Sequence, residues 1–142
     1  MKRNPHYLLD TSALLTLRED EPGADRVADL LHKAQQGQAV CHAAFISRME
    51  LLYRVWRDEG ADQARLAYEQ CRSLPLTWVE FDEDVMLQAA EIKARHPLSL
   101  ADAWVAASAM HAGATLVHKD PELTALKVRQ EMLPLKEKRR SP

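Results

Sequence analysis

The sequence predicts an α/β fold: a three-layer α/β/α sandwich around a mostly parallel central sheet, in a single domain. Three observations predict it. Short apolar runs of strand length alternate with longer segments whose apolar residues recur at helical spacing. That alternation favours parallel strands joined by helices, with helices covering both sheet faces. Finally, 142 residues, 46% hydrophobic and 28% charged, match the size and balance of one soluble globular domain that buries its own core.

The elements follow in order. Residues 6–9 read as a first strand ending at Asp10, where Thr11 and Ser12 start a helix through Leu17. Residues 19–23, Glu-Asp-Glu-Pro-Gly, break the chain. From Ala24 to Gln36, Val27, Leu30, Leu31 and Ala34 recur at helical spacing. Residues 39–43 form the second strand, and a helix over 46–59 has Ser47 and Glu50 at capping-box spacing. Met49, Leu52, Tyr53 and Trp56 are its expected apolar stripe. Gly60 separates it from a helix over 62–72. A third strand is expected over 77–81, then a helix over 82–95 with Val85, Met86, Ala89, Ala90 and Ile92 inward. His96-Pro97 forces a break, because the residue before proline is pushed out of the helical region.

Ser99 then caps a helix whose Asp102 lies three residues on. Ala101, Ala103, Ala106, Ala107, Ala109 and Ala112 leave this helix small and apolar on nearly every face, as suits a segment buried against a sheet. Gly113 ends it, and residues 114–117 are long enough for a buried parallel strand. A helical turn over 121–126 and a weak edge strand over 131–135, marked by Pro134, complete the domain, residues 1–135. The basic tail, 136–142, reads as frayed.

Composition excludes several classes. No apolar run approaches the roughly 20 residues that span a bilayer, and polar residues interrupt any signal-like core at the N-terminus. A cytoplasmic protein with no membrane partner is expected. Cys41 and Cys71 have no metal-ligand spacing, so they read as buried thiols rather than a zinc site or disulfide framework. A net charge of −2 gives no bulk affinity for polyanions, so a nucleic-acid partner would need local basic patches or a metal.

The informative residues are acids. Asp10 and Asp120 each end a strand, while Glu50 and Asp102 each open a helix, so all four tend to one end of the sheet. Ligands of open α/β sheets bind there, where the strand order reverses. Helix capping accounts for each acid singly, but not for Asp120 following a strand on the same edge. Four converging carboxylates would raise one another's pKa, and a hard divalent cation removes that penalty.

Leu8-Leu9-Asp10-Thr11-Ser12-Ala13-Leu14 resembles the opening motif of PIN-domain nucleases. Residues 47–51, Ser-Arg-Met-Glu-Leu, resemble their second motif, residues 100–103, Leu-Ala-Asp-Ala, their third, and residues 113–121 their fourth. The size is similar to that of VapC-like toxins of type II toxin–antitoxin modules. One departure is visible: the family usually has Thr two positions before its last acid, where this chain has His118. The resemblance implies a ribonuclease dependent on Mg²⁺ or Mn²⁺, with Asp10 and Asp102 as principal metal ligands and Glu50 and Asp120 completing the pocket. Thr11 or Ser12 would position a phosphate or water, and Arg48 is a candidate for gripping RNA. It further implies a homodimer silenced by an antitoxin that places a basic side chain near the acids. Whether one ion or two serve is left open by the residues.

Other residues have competing readings. Arg48, Arg54 and Arg57 either grip RNA phosphates or pair with surface acids. Trp56, Trp78 and Trp104 lie within apolar patterns, which favours core packing over base stacking. His118 reads as a strand-end residue beside Asp120, and His42 and His111 as structural. Leu30, Leu31, Leu51, Leu52 and Tyr53 offer apolar surface for a partner. The alternatives to the nuclease are a PIN-fold RNA-binding module without activity and an aspartate-nucleophile phosphohydrolase. The second wants another Asp two residues past Asp10, where Ser12 stands.

Overall fold

A computed structural model describes residues 3–136. Five strands form one sheet: β1 (His6–Leu9), β2 (Val40–Ala44), β3 (Leu76–Val79), β4 (Thr115–His118) and β5 (Gln130–Met132). Their order is β3-β2-β1-β4-β5 and every pairing is parallel. In register, Leu8 lies beside His42 on one side and Leu116 on the other. The strand order reverses at β1, so the crevice beyond the carboxyl ends of β1 and β4 is where such a sheet opens to a ligand.

Because successive strand residues face opposite ways, each strand supplies both layers of core. Leu8, Ala44, Val79 and Leu116 pack under α5 (Glu83–Arg95) and α6 (Leu100–Ala112). Leu9, Cys41, Ala43 and Val117 face the other layer, which gathers α1 (Thr11–Arg18), α2 (Ala24–Gln35), α3 (Ile46–Glu59) and α4 (Ala61–Arg72). Leu8, Leu9, Leu116 and Val117 are fully buried, and a side chain in that position stabilises by about 1.5–3 kcal/mol. Helix α6 buries six consecutive or near-consecutive positions, Ala103 and Val105 to Ala109, as its small side chains allow. Ser108 satisfies its hydroxyl within that apolar layer by donating to the Trp104 carbonyl at 2.8 Å. Gly113 closes the helix at φ +62, a left-handed conformation that favours glycine. The edge strand β5 is held to α2 by a fork of Arg26 on Glu131, at 2.9 and 3.0 Å.

Several expectations change. In α3 the buried positions are Ser47, Leu51 and Val55, while Met49, Tyr53 and Trp56 are 55%, 46% and 55% exposed. The helix carries two candidate stripes, and docking selects the one whose small Ser47 permits close approach to α1. Ser47 accordingly is no cap: Phe45 holds the N-cap position and makes no side-chain cap bond. Leu30, Leu31 and Leu51 are core, so of the residues suggested as partner surface only Tyr53 is exposed and Leu52 half-buried. On α5, Ala90 faces solvent. The third strand stops at Val79, two residues early, and β5 covers Gln130–Met132 with Leu133 still bonded to the His118 carbonyl at 2.7 Å. Residues 137–142 of the expected tail lie outside the described residues. Among the described residues no helix is long and apolar enough to cross a membrane.

Candidate active site

Asp10 follows β1 and caps α1. Its Oδ1 accepts the Ala13 amide at 2.8 Å and the Ser12 hydroxyl at 2.7 Å, while its own amide donates to the Val117 carbonyl of β4 at 3.1 Å. The carboxyl is 6% exposed. Burial pushes its pKa up to about 7; the bonds from Ser12 and Ala13 oppose the shift, and Asp102 and Glu50 add repulsion.

Glu50 is held from below. Thr11 Oγ1 lies 2.7 Å from Glu50 Oε1 and 2.9 Å from Ser47 Oγ. A hydroxyl has one proton and a carboxylate only accepts, so Thr11 donates to Glu50 and Ser47 donates to Thr11. This chain explains why a serine and a threonine are buried between α1 and α3.

Asp102 sits in the first turn of α6, where Ser99 Oγ accepts its amide at 3.1 Å. Burial raises its pKa, with Ser99 opposing and Asp120, Glu50 and Glu122 adding repulsion. Asp120 follows β4 and caps a 3-10 turn, Pro121–Ala125, through Glu122.

His118 is fully buried, and its position beside Asp120 has a clear consequence. Its Nδ1 accepts the Asp120 amide at 3.0 Å, and its Nε2 lies 2.7 Å from Gln130 Oε1. The Gln130 amide donates to the Leu123 and Leu126 carbonyls at 3.1 and 3.2 Å, which leaves its oxygen to accept from His118. Nε2 therefore donates and Nδ1 accepts, and the relay fixes the backbone that carries Asp120.

All four acids line one cavity of about 320 Å³, together with Thr11, Ser12, Arg54, Ser99, Val105 and Lys119. It opens at the reversal of strand order between β1 and β4. Hard oxygen donors dominate it, and two of its carboxyls are raised by burial and mutual repulsion. That donor chemistry fits a hard divalent cation. Among the described residues no three acids already stand at mutual ligand spacing, so water would complete the coordination.

The family model described as the PIN domain matches residues 7–128, a span containing all four acids. The chain belongs to the PIN domain family. No curated protein sequence matches it. The fold is similar to VapBC2 of Rickettsia felis bound to a promoter DNA fragment, with 18% identity, 91% of this chain and 99% of that one covered, and a TM-score of 0.74. DNA-bound VapBC of Salmonella typhimurium gives 18%, 92% and 98%, with a TM-score of 0.72. VapC20 of Mycobacterium tuberculosis, described as a sarcin–ricin loop cleaving toxin, gives 18%, 90% and 99%, with 0.67.

In this PIN domain Arg48 does not line the cavity. It pairs with Glu80 and lies over the Trp78 ring, 4.5 Å from its centre. Arg57 pairs with Asp58. Arg54 and Lys119 are the cations that do line it; Ser99 caps α6 as the sequence predicts, and Gln130 is the supporting residue that the sequence does not single out. Spacing singles out Arg54, one helical turn beyond Glu50 on the same face. Trp78 and Trp104 are half-buried against the two cores rather than within them, the latter edge-on to Phe45, and Trp56 faces solvent. His42 stacks on His6 away from the acids, and both cysteines are buried thiols pushed up to about 11 by burial.

Proposed function

We propose that this PIN domain is a metal-dependent endoribonuclease and the toxin of a type II toxin–antitoxin pair. The observation that carries the reading is the convergence of Asp10, Glu50, Asp102 and Asp120 on one cavity at the crevice of a parallel sheet. Asp10 and Asp102, the two acids in the least aqueous setting, hold Mg²⁺ or Mn²⁺. Glu50 and Asp120 complete the pocket directly or through water. When bound, such an ion lowers the pKa of a coordinated water and neutralises charge on the scissile phosphate. Ser12 orients the Asp10 carboxylate, Thr11 orients Glu50, and the His118 relay holds the Asp120 backbone, so the acids are placed before substrate arrives. Neighbours crystallised as VapBC complexes support a cognate antitoxin. A cytoplasmic homodimer is part of the same proposal. The exposed stripe Met49, Tyr53, Trp56 supplies apolar surface for the antitoxin.

The test is cleavage of labelled structured RNAs and DNA strands by antitoxin-free protein with Mg²⁺, Mn²⁺ or EDTA, beside Asp10→Asn. Metal-dependent RNA cleavage that vanishes in the variant is expected. Failure to bind a divalent ion together with no cleavage of any substrate would instead favour an RNA-binding module without activity.

A further inference from the structure

The acid cavity has a neighbour. A second cavity of about 230 Å³ opens beside it, and Ser12, Arg54 and Lys119 line both. Two cations therefore stand on the wall the cavities share. The other arginines of this region are occupied: Arg18 forks onto Glu59, Arg48 pairs with Glu80 and Arg57 with Asp58. Arg54, half-buried on α3, makes no ion pair or side-chain hydrogen bond among the described residues. Lys119 pairs loosely with Glu21 at 3.8 Å, but its ammonium is buried and has no hydrogen-bond partner among the described residues. A buried ammonium without hydrogen bonds is costly, and an arriving anion removes that cost.

We propose that Arg54 and Lys119 form the seat of one backbone phosphate of the RNA, the one flanking the scissile phosphate. This rests on the nuclease reading above. The scissile phosphate belongs over the acids with their ion. Lys119 follows β4 immediately before Asp120, but its ammonium approaches Glu21 on the second-cavity side, so it serves a phosphate displaced from the acids. The second cavity is also lined by Glu19, Glu21, Asp58 and Glu59, which repel a phosphate and confine the seat to the wall shared with the acid cavity. A guanidinium fork and a compact ammonium on opposite elements, α3 and the β4 end, suit the two non-bridging oxygens of a monoanionic phosphodiester from two directions. The pair thus sets the register of the strand on the metal, acting as binding residues while the acids act on the scissile bond.

The probe is a short fluorescein-labelled single-stranded RNA, bound with Ca²⁺ present and titrated with KCl, read by anisotropy. Arg54→Gln and Lys119→Gln are each expected to weaken binding several-fold and to lower the salt slope, and the double variant to lower it by about 0.7, the value for one phosphate contact on a single strand. Lys119→Arg should restore most of the loss. Replacing internal phosphates one at a time by neutral methylphosphonates should find a position that costs wild type the same affinity and costs the double variant nothing more. On RNA that wild type cleaves, the variants should raise KM with kcat nearly held. Unchanged affinity and salt slope in both variants, or methylphosphonate losses that add fully at every position, overturn the seat while leaving the nuclease standing. A wild-type protein that neither binds nor cuts RNA with any divalent ion overturns both.

Discussion

Asp10 does two jobs with one carboxyl group. As the cap of α1 it must accept the Ala13 amide, and as part of the acid cavity it is buried among like charges. Its pKa is about 7 in the fold against an ordinary 3.8, so across that interval the folded, metal-free protein binds more protons than the unfolded chain. Stability is then fully present below the unfolded pKa and is lost as pH rises through the folded one, by up to about 4 kcal/mol. Melting in EDTA from about pH 4 to about pH 8 should show that fall, and Asp10→Asn, which still caps the helix, should flatten it. A fall of equal size in the variant would place its origin elsewhere. Asp102→Asn makes a second prediction. Its cap bond uses the backbone amide and survives, so metal binding and cleavage should be lost with the metal-free melt no lower than that of the wild type, since the substitution also removes a carboxyl held among like charges. Normal cleavage by that variant would remove Asp102 from the site.

At the scale of elements, the β4 end and α3 illustrate two ways in which a helix or strand serves a site. The segment after β4 is built by the relay of Gln130, His118 and the Asp120 amide, which crosses from β5 to β4. His118→Ala leaves a cavity and two unpaired polar groups, so it should cost about 2–4 kcal/mol by urea unfolding and lower metal affinity at the same time. Asp120→Asn should lower metal affinity alone; if the two variants lose stability equally, the relay does not position the acid. Helix α3 separates its duties by face. Ser47, Leu51 and Val55 turn inward, Glu50 and Arg54 line the cavity, and Met49, Tyr53 and Trp56 are left in solvent. Tyr53→Ser with Trp56→Ser should therefore change stability by no more than about 1 kcal/mol, whereas Leu51→Ala should cost about 2–5 kcal/mol. The surface pair should also weaken retention of an antitoxin in co-purification, and retention at the wild-type level would move the contact off this stripe.

For the whole molecule, an ion that binds only the folded state raises stability by mass action, about 2.7 kcal/mol at a hundredfold excess over Kd. The Asp10 proton competes with it, so the rise in melting temperature with Mg²⁺ or Mn²⁺ should be larger at about pH 8 than at about pH 5. An equal rise at both would mean that the ion binds away from Asp10. Architecture and acids were legible in the chain because both follow local rules. Period-two and helical spacing mark elements, and Asp10, Glu50, Asp102 and Asp120 fall at junctions where a parallel sheet must bring them together. What folding alone decided was choice among locally equivalent options. On α3 the sequence points to the stripe Met49, Leu52, Tyr53 and Trp56, and the burial of Leu51 rather than Tyr53 depends on what docks against the helix. Spacing puts Arg54 on the face of Glu50, but only folding shows that Glu80 and Asp58 take Arg48 and Arg57 and leave Arg54 to the cavity. His118 gains its role from Gln130, which lies twelve residues away and comes beside it only when β5 pairs with β4. Sequence by itself determined the fold class and the acids, since backbone periodicity and junction position are local. The tertiary structure decided which cations face the acids and how each acid is held, since those depend on partners brought together only by the sheet.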